Sequence, residues 1–205
     1  MIESVLMTCL EILKRQKTKD PPLMNSSPCL KDKRVLIFAG PDFEDMELMY
    51  PKLRFLEEGA EVKVAGLGEA TYTGKKGYPI TVDGSAEDFV VGHWDMVIIP
   101  GGWAPDKMRM NHAVLEIVRR AIKNNSTVGA ICHGGWVLSS AMVLEGRTVT
   151  SYIAIKDDMT HAGATWVDEP VVIDGTLVTS RTPADLPDFC RALIGSVLTQ
   201  QPALT

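Results

Sequence analysis

The sequence has little that would mark a nucleic-acid-binding or membrane protein. Among its 205 residues, 26 acidic side chains outnumber 21 basic ones, which gives a formal net charge of −5 and a sequence pI of about 5.4. It has no basic stripe, and this argues against a nucleic-acid partner. No apolar run approaches the roughly 18 residues of a membrane-spanning helix, so we expect no membrane partner either.

Cysteine is also scarce. The four cysteines, Cys9, Cys29, Cys132 and Cys190, have no C-x-x-C spacing and lie near no pair of histidines. This argues against a zinc site and against a disulfide framework, so we expect neither a metal ion nor another cofactor. Without disulfides, a reducing and cytoplasmic location is the simpler interpretation.

The chain has two parts of different character. Residues 1–30 combine apolar residues at helical spacing, a basic cluster and a linker rich in Pro and Ser. The order of these features is the reverse of a signal peptide. We expect an N-terminal extension, either disordered or a short helix, and we favour a dispensable tail. Residues 31–205 are expected to form a single domain.

From residue 34 onward, apolar runs alternate with amphipathic segments. The runs RVLIF, DMVIIP and TVGAI are typical of strands buried on both faces, and the segments MELMYPKLRFLEE and NHAVLEIVRRAIKNN have helical spacing. This alternation predicts an α/β fold with a mostly parallel sheet and helices on both faces. In such sheets ligands bind beyond the carboxyl ends of the strands, here Gly40, Pro100 and Cys132.

Cys132 lies where a buried strand leads into a helix. Gly134 and Gly135 follow it and allow a sharp turn, as in a nucleophile elbow. The N-terminus of the next helix is expected to lower the pKa of the thiol. We therefore interpret Cys132 as a nucleophile, whereas Cys190 has the spacing of a core residue.

Backbone N–H groups near Cys132 can form an oxyanion hole. Gly101 and Gly102 follow the neighbouring strand and offer exposed amides. His133 has two possible roles, since it provides either an imidazole base or only its own N–H beside the thiol.

A carboxyl group is also expected near the thiol. Glu44 and Asp45 follow the first strand, so that one of them can reach Cys132. A charged carboxylate would repel a thiolate, so that carboxyl should be protonated and donate a hydrogen bond.

Six segments in order resemble the PfpI branch of the DJ/ThiJ/PfpI superfamily: FEDMELMYP, GKKGYPITVD, IIPGGWAPDKMR, AICHG, DDMTHAGATWVD and SRTPADLPDF. The resemblance covers nearly all of residues 34–198. It implies a flavodoxin-like three-layer sandwich that forms dimers or hexamers. Members are described as intracellular cysteine peptidases, as cofactor-independent glyoxalases of the glyoxalase III type, as deglycases, and as stress proteins with chaperone activity.

The resemblance also implies a role for each matching residue. Cys132 would be the nucleophile, with His133 as its neighbour, and Glu44 the carboxyl that contacts the thiol. The amides of Gly102 and His133 would form the oxyanion hole. Asp106 would reach the histidine of an adjacent subunit.

The chain departs from the pattern of the family in two ways. Gly135 and Trp136 stand where PfpI relatives commonly have Pro-Gln, and Asp106 is one methylene shorter than the glutamate of the peptidase prototype. We expect Trp136 to line the pocket together with Gly101 and Trp103.

Three functions follow as hypotheses. The first is an enzyme acting on small reactive carbonyl compounds, of the glyoxalase III or deglycase type, in stress protection. The second is an intracellular cysteine peptidase, and the third is a redox-sensing stress protein or holdase chaperone. A narrow pocket would favour a small carbonyl substrate over a peptide. In each case the expected partners are the substrate and further copies of the chain.

Overall fold

The computed structural model describes residues 28–199, so most of the predicted N-terminal extension lies outside the described residues. The strands are β1 (Arg34–Phe38), β2 (Glu61–Gly66), β3 (Thr71–Thr73), β4 (Pro79–Thr81), β5 (Gly84–Ser85), β6 (Met96–Ile99), β7 (Thr127–Ile131), β8 (Thr148–Val149), β9 (Thr165–Trp166), β10 (Val171–Asp174) and β11 (Leu177–Ser180). The helices are α1 (Asp45–Glu57), α2 (Ala86–Phe89), α3 (Ala104–Met108), α4 (His112–Lys123), α5 (Gly135–Ala141), α6 (Lys156–His161) and α7 (Leu186–Thr199).

Seven strands form the central sheet, in the order β10-β11-β7-β6-β1-β2-β5. All neighbours are parallel except β10, which pairs antiparallel with β11. Two small sheets lie apart from it, the β3–β4 hairpin and the β8–β9 pair. The predicted mostly parallel sheet is therefore confirmed.

Helices cover the sheet on both sides. Every residue of β6 and β7 is buried, as a strand covered on both faces must be. Helix α1 packs against α7, and α4 packs against α2 and α5. The result is the expected three-layer sandwich. No helix within residues 28–199 has the length and apolar character to cross a membrane.

The strand order determines where a site can form. The chain passes from β1 to β2 on one side, whereas β6 and then β7 lie on the other side of β1. A sheet of this kind opens a crevice at the carboxyl ends of the strands where the order reverses, which is here between β1 and β6. The segments that follow β1, β6 and β7 meet at this edge.

A glycine in β7 sets the distance between the sheet and α7. A Cβ on Gly129 would lie 2.7 Å from Leu193 Cδ2, 2.9 Å from Ile98 Cδ1 and 3.0 Å from Phe189 Cζ. Atoms this close overlap, so a larger residue would push α7 away from the sheet that carries the site.

We predict that Gly129→Ala lowers the free energy of unfolding by about 1–3 kcal/mol, because the added methyl overpacks the core. Gly195→Ala is the matched control, since Gly195 lies in α7 with nothing within 4 Å of an added Cβ. This control should leave stability unchanged or raise it by up to about 1 kcal/mol. Urea unfolding at equilibrium measures both variants, and an equal effect of the two would contradict the packing argument.

Candidate active site

Cys132 occupies a strained turn at the end of β7. Its φ is +58°, in the left-handed region that residues other than glycine rarely adopt, and it begins a 3-10 turn over Cys132–Gly134. A Cβ on Gly134 would lie 2.5 Å from Ile99 O, so the turn approaches the neighbouring strand too closely for a larger residue. The expected sharp turn is thus present, and strain of this kind is typical of functional sites.

The turn brings two sequence neighbours together. His133 Nδ1 lies 3.3 Å from Cys132 Sγ, within hydrogen-bonding distance for sulfur. The imidazole packs among three aromatic rings, with centroid distances of 5.3 Å to Trp103, 4.9 Å to Trp136 and 5.1 Å to Tyr152. These contacts hold the ring beside the sulfur.

The carboxyl beside Cys132 belongs to Glu47, and the expectation that Glu44 contacts the thiol is wrong. Glu44 caps the start of α1, where its Oε2 accepts the backbone N–H of Glu47 at 2.9 Å. Glu47 is fully buried, and its Oε2 accepts the Gly101 amide at 2.7 Å. A Cβ on Gly101 would lie 2.6 Å from Glu47 Oε2 and 2.7 Å from Cys132 Cβ, so these two side chains are neighbours.

Glu47 is protonated at neutral pH. Burial raises its pKa to about 8, and the hydrogen bond from the Gly101 amide offsets only part of this rise. Because Oε2 accepts that amide, the proton belongs on Oε1, which has no nitrogen or oxygen partner among the described residues. The protonated carboxyl expected at Glu44 therefore occurs at Glu47.

The thiol is not acidic, contrary to our expectation. Burial raises the pKa of Cys132 to about 12, and a charge on Glu47 raises it further, against the opposing amides of His133 and Gly102. Removal of water outweighs the short helix that follows. Burial also lowers the pKa of His133, so that the imidazole beside the thiol is neutral near pH 7.

Two backbone amides converge on the sulfur. The N–H groups of His133 and Gly102 lie near the Cys132 thiol and favour its ionised form, which offsets part of the rise in its pKa. Gly102 adopts a φ of +75°, and a Cβ there would lie 2.4 Å from Asp42 O, so only glycine fits. The residues expected to form an oxyanion hole are therefore brought together at the thiol.

These groups open into a cavity of about 330 Å³. Trp103 lines it as expected and is 59% exposed. Gly101 and Trp136 do not line it, because the amide of Gly101 binds Glu47 and the indole N–H of Trp136 donates to Asp158 at 3.1 Å. The remaining lining residues could not be recognised from the sequence pattern: Lys75, Tyr152, Ala154, Thr182 and Pro183.

The cavity is suited to a small organic molecule. Its volume lies at the lower end of the range for small-molecule sites, roughly 300–1,000 Å³. Within the described part of the chain, no three His, Cys, Asp or Glu side chains are grouped as metal ligands would be.

Asp106 forms no hydrogen bond with His133 of its own chain. It lies in α3 with its side chain 56% exposed, and its Oδ2 is 3.1 Å from Lys107 Nζ. Its expected contact with a neighbouring subunit stays a prediction.

The chain resembles known proteins in sequence. A model of the DJ-1/PfpI family matches residues 33–196. The chain belongs to the DJ-1/PfpI family. A deglycase of Pyrococcus abyssi is 45% identical over 161 residues, which are 78% of this chain and 97% of that protein. The deglycase PfpI of Pyrococcus furiosus is 42% identical over the same shares.

A solved DJ-1/PfpI structure has the same fold. The crystal structure of Drosophila melanogaster DJ-1beta superposes with a TM-score of 0.77 at 27% sequence identity, covering 82% of this chain and 91% of that one. The sandwich described above is thus the DJ-1/PfpI fold.

We predict that Glu47→Gln changes how stability depends on pH. The folded protein keeps the Glu47 proton up to about pH 8, whereas the unfolded chain releases it near pH 4.5, so wild-type stability falls as pH rises between these values. The slope contributed by this group is about 1.4 kcal/mol per pH unit, and Glu47→Gln should abolish it.

Glu44→Gln is the control and should keep the wild-type slope, since Glu44 caps α1 outside the cavity. Urea unfolding at pH 5, 6, 7 and 8 measures all three proteins. Parallel curves for wild type and Glu47→Gln would show that Glu47 is ionised in the folded state.

Proposed function

We propose that this protein is a cysteine-dependent, cofactor-independent enzyme that converts small reactive carbonyl compounds to hydroxy acids, of the glyoxalase III or deglycase type, and that it acts in stress protection in the cytoplasm. The observation that carries the proposal is the buried, protonated carboxyl of Glu47 beside Cys132 in a small cavity. The deglycase names of the two Pyrococcus relatives support it.

The first step joins the substrate to the enzyme. As the sulfur bonds to the aldehyde carbon of a 2-oxoaldehyde, Cys132 passes its proton to His133 Nδ1, so that no free thiolate has to form first. The carbonyl oxygen becomes negative and accepts hydrogen bonds from the amides of Gly102 and His133. It then receives from the imidazole the proton that came from the thiol. The product is a hemithioacetal.

The second step moves protons between adjacent carbons. Glu47 gives its proton to the neighbouring ketone oxygen and takes the proton of the carbon that bears sulfur, which leaves an enediol. It then places that proton on the former ketone carbon and receives the hydroxyl proton, which gives a thioester. A carboxyl with a pKa of about 8 suits both halves of this exchange near neutral pH.

Water completes the reaction. It adds to the thioester carbon, the C–S bond breaks, and the thiol and a 2-hydroxy acid are released. The sum is one oxoaldehyde and one water converted to one hydroxy acid, with no external oxidant or reductant.

The two other hypotheses fit the site less well. A peptidase must bind several residues of a peptide, and a cavity of about 330 Å³ favours a smaller substrate. A redox sensor needs a thiol that oxidants can reach, whereas Cys132 is only 8% exposed.

We also propose that the protein is a homo-oligomer, a dimer or a hexamer, in which Asp106 of one subunit approaches His133 of another. His133 hydrogen-bonds to no carboxylate within residues 28–199, and a base of this kind usually has a third group that orients its ring. The exposed faces of Trp103 and Tyr152, which contact that ring, suit a subunit interface.

We expect the protein to convert methylglyoxal to lactate, and Cys132→Ala to abolish this activity. Glu47→Gln should lower kcat by about 100-fold or more, because an amide cannot shuttle the proton. Glu44→Gln is the matched control and should retain activity. The assay should follow lactate and not the loss of aldehyde, since any protein thiol binds aldehydes reversibly.

An opposite result, with Glu44→Gln inactive and Glu47→Gln active, would remove Glu47 from the mechanism. A preformed adduct of methylglyoxal with N-acetylcysteine distinguishes the two reaction types. Lactate that forms faster than the adduct releases free aldehyde indicates a deglycase, and lactate limited by that release indicates a glyoxalase.

The shared site predicts complementation between two inactive variants. Cys132→Ala and Asp106→Ala chains are mixed, unfolded and reassembled. With reciprocal sites, each mixed dimer contains one doubly altered site and one intact site, so that activity should exceed that of either parent. Full activity of Asp106→Ala alone, or no recovery from a reassembled oligomer, would show that His133 works without Asp106.

A further inference from the structure

The turn between β3 and β4 is tied to the start of α1 by one buried carboxylate. Asp45 Oδ2 accepts the backbone N–H of Lys76, and Asp45 Oδ1 accepts that of Tyr78, both at 2.9 Å. A Cβ on Gly74 would lie 2.5 Å from Asp45 Oδ1, so the turn fits closely over this side chain. Two hydrogen bonds and a close contact therefore fix the turn against the helix that carries the catalytic carboxyl.

This anchoring places Lys75 at the cavity. Its backbone N–H donates to Phe43 O at 2.9 Å, and Lys75 lines the cavity together with Cys132 and His133, whose pKa values its charge lowers. The next residue, Lys76, belongs to the same turn but does not line the cavity.

Among the described residues that line the cavity, Lys75 is the only one with a formal charge at neutral pH. Glu47 is protonated there, Cys132 is a thiol and His133 is neutral. Lys75 forms none of the ion pairs within 4.0 Å that occur among residues 28–199. Because its ammonium has no carboxylate partner among these residues, the local charge at the cavity is positive. The chain as a whole has a net charge of −5, so this positive charge distinguishes the cavity from the rest of the protein.

We propose that Lys75 binds an anionic group of the substrate, and that the preferred substrate is a 2-oxoaldehyde that carries a carboxylate or a phosphate. The proposal rests on the proposed function for its chemistry, but the anion site itself does not. An ammonium on a flexible four-carbon chain suits either anion as a point charge. The anion meets no repulsion from Glu47, because that carboxyl is neutral when the substrate enters.

The kinetic test uses two substrates of the same shape. 4,5-Dioxopentanoate is a 2-oxoaldehyde with a terminal carboxylate, and its amide, 4,5-dioxopentanamide, lacks the charge. Addition of water converts the first to 2-hydroxyglutarate by the steps given above. Wild type should prefer the acid to the amide by about 10-fold or more in kcat/KM.

Three variants test whether Lys75 causes the preference for the acid over the amide. Lys75→Gln should abolish it, Lys75→Arg should keep it, and Lys76→Gln should keep it because that side chain lies outside the cavity lining. Higher salt should weaken the preference of the wild type, since the ammonium is exposed. A parallel assay with 3-phosphooxy-2-oxopropanal shows whether phosphate is favoured over carboxylate.

A binding measurement separates the anion site from the reaction. Cys132→Ala protein is titrated with 2-hydroxyglutarate in a calorimeter, with and without Lys75→Gln. If Lys75→Gln loses binding and Lys76→Gln keeps it, the result supports the anion site. This holds even when no substrate is converted, and in that case only the proposed function has failed. Equal kcat/KM for acid and amide in wild type, or equal losses in both glutamine variants, would overturn the proposal.

Discussion

The hydrogen bond between Glu47 Oε2 and the Gly101 amide is the contact on which the rest of the site depends. It joins the first turn of α1 to the end of β6 and holds the Glu47 carboxyl in the interior, where solvent does not reach it. Burial makes the carboxyl costly to ionise, so a proton stays next to Cys132 at neutral pH even though the Gly101 amide favours the ionised form. The absence of a side chain at Gly101 is what lets the carboxyl, the amide and the cysteine approach one another.

Sequence patterns were sufficient for the sheet and for the position of Cys132. Continuous apolar runs mark β6 and β7, and a cysteine directly after such a run must lie at the carboxyl edge. The carboxyl was misassigned by one helical turn, since both glutamates lie near the start of α1. A signal was available, because Glu47 shares the buried face of α1 with Pro51 and Phe55, at i, i+4 and i+8, where a charged residue is out of place.

The thiol pKa and the place of Lys75 could not be predicted in the same way. The thiol pKa depends on how much water the fold removes around Cys132, and a local helix-terminus argument does not contain that quantity. The position of Lys75 at the cavity depends on Asp45, whose carboxyl accepts backbone amides 31 and 33 residues away in the sequence. Long-range contacts of this kind leave no mark in a single sequence.

The unusual acid–base state of the site is a property of the folded chain alone. Glu47 and Gly101 are 54 residues apart in sequence, and Cys132 follows from a third strand. A nascent or partly melted chain therefore carries an ordinary glutamate, ionised above about pH 4.5, and an ordinary thiol. Exposure of this edge to water would remove the cost of ionising the carboxyl and would return its pKa toward the ordinary value. The protonated Glu47 and the raised thiol pKa of Cys132 therefore exist only while the segments after β1, β6 and β7 are packed together.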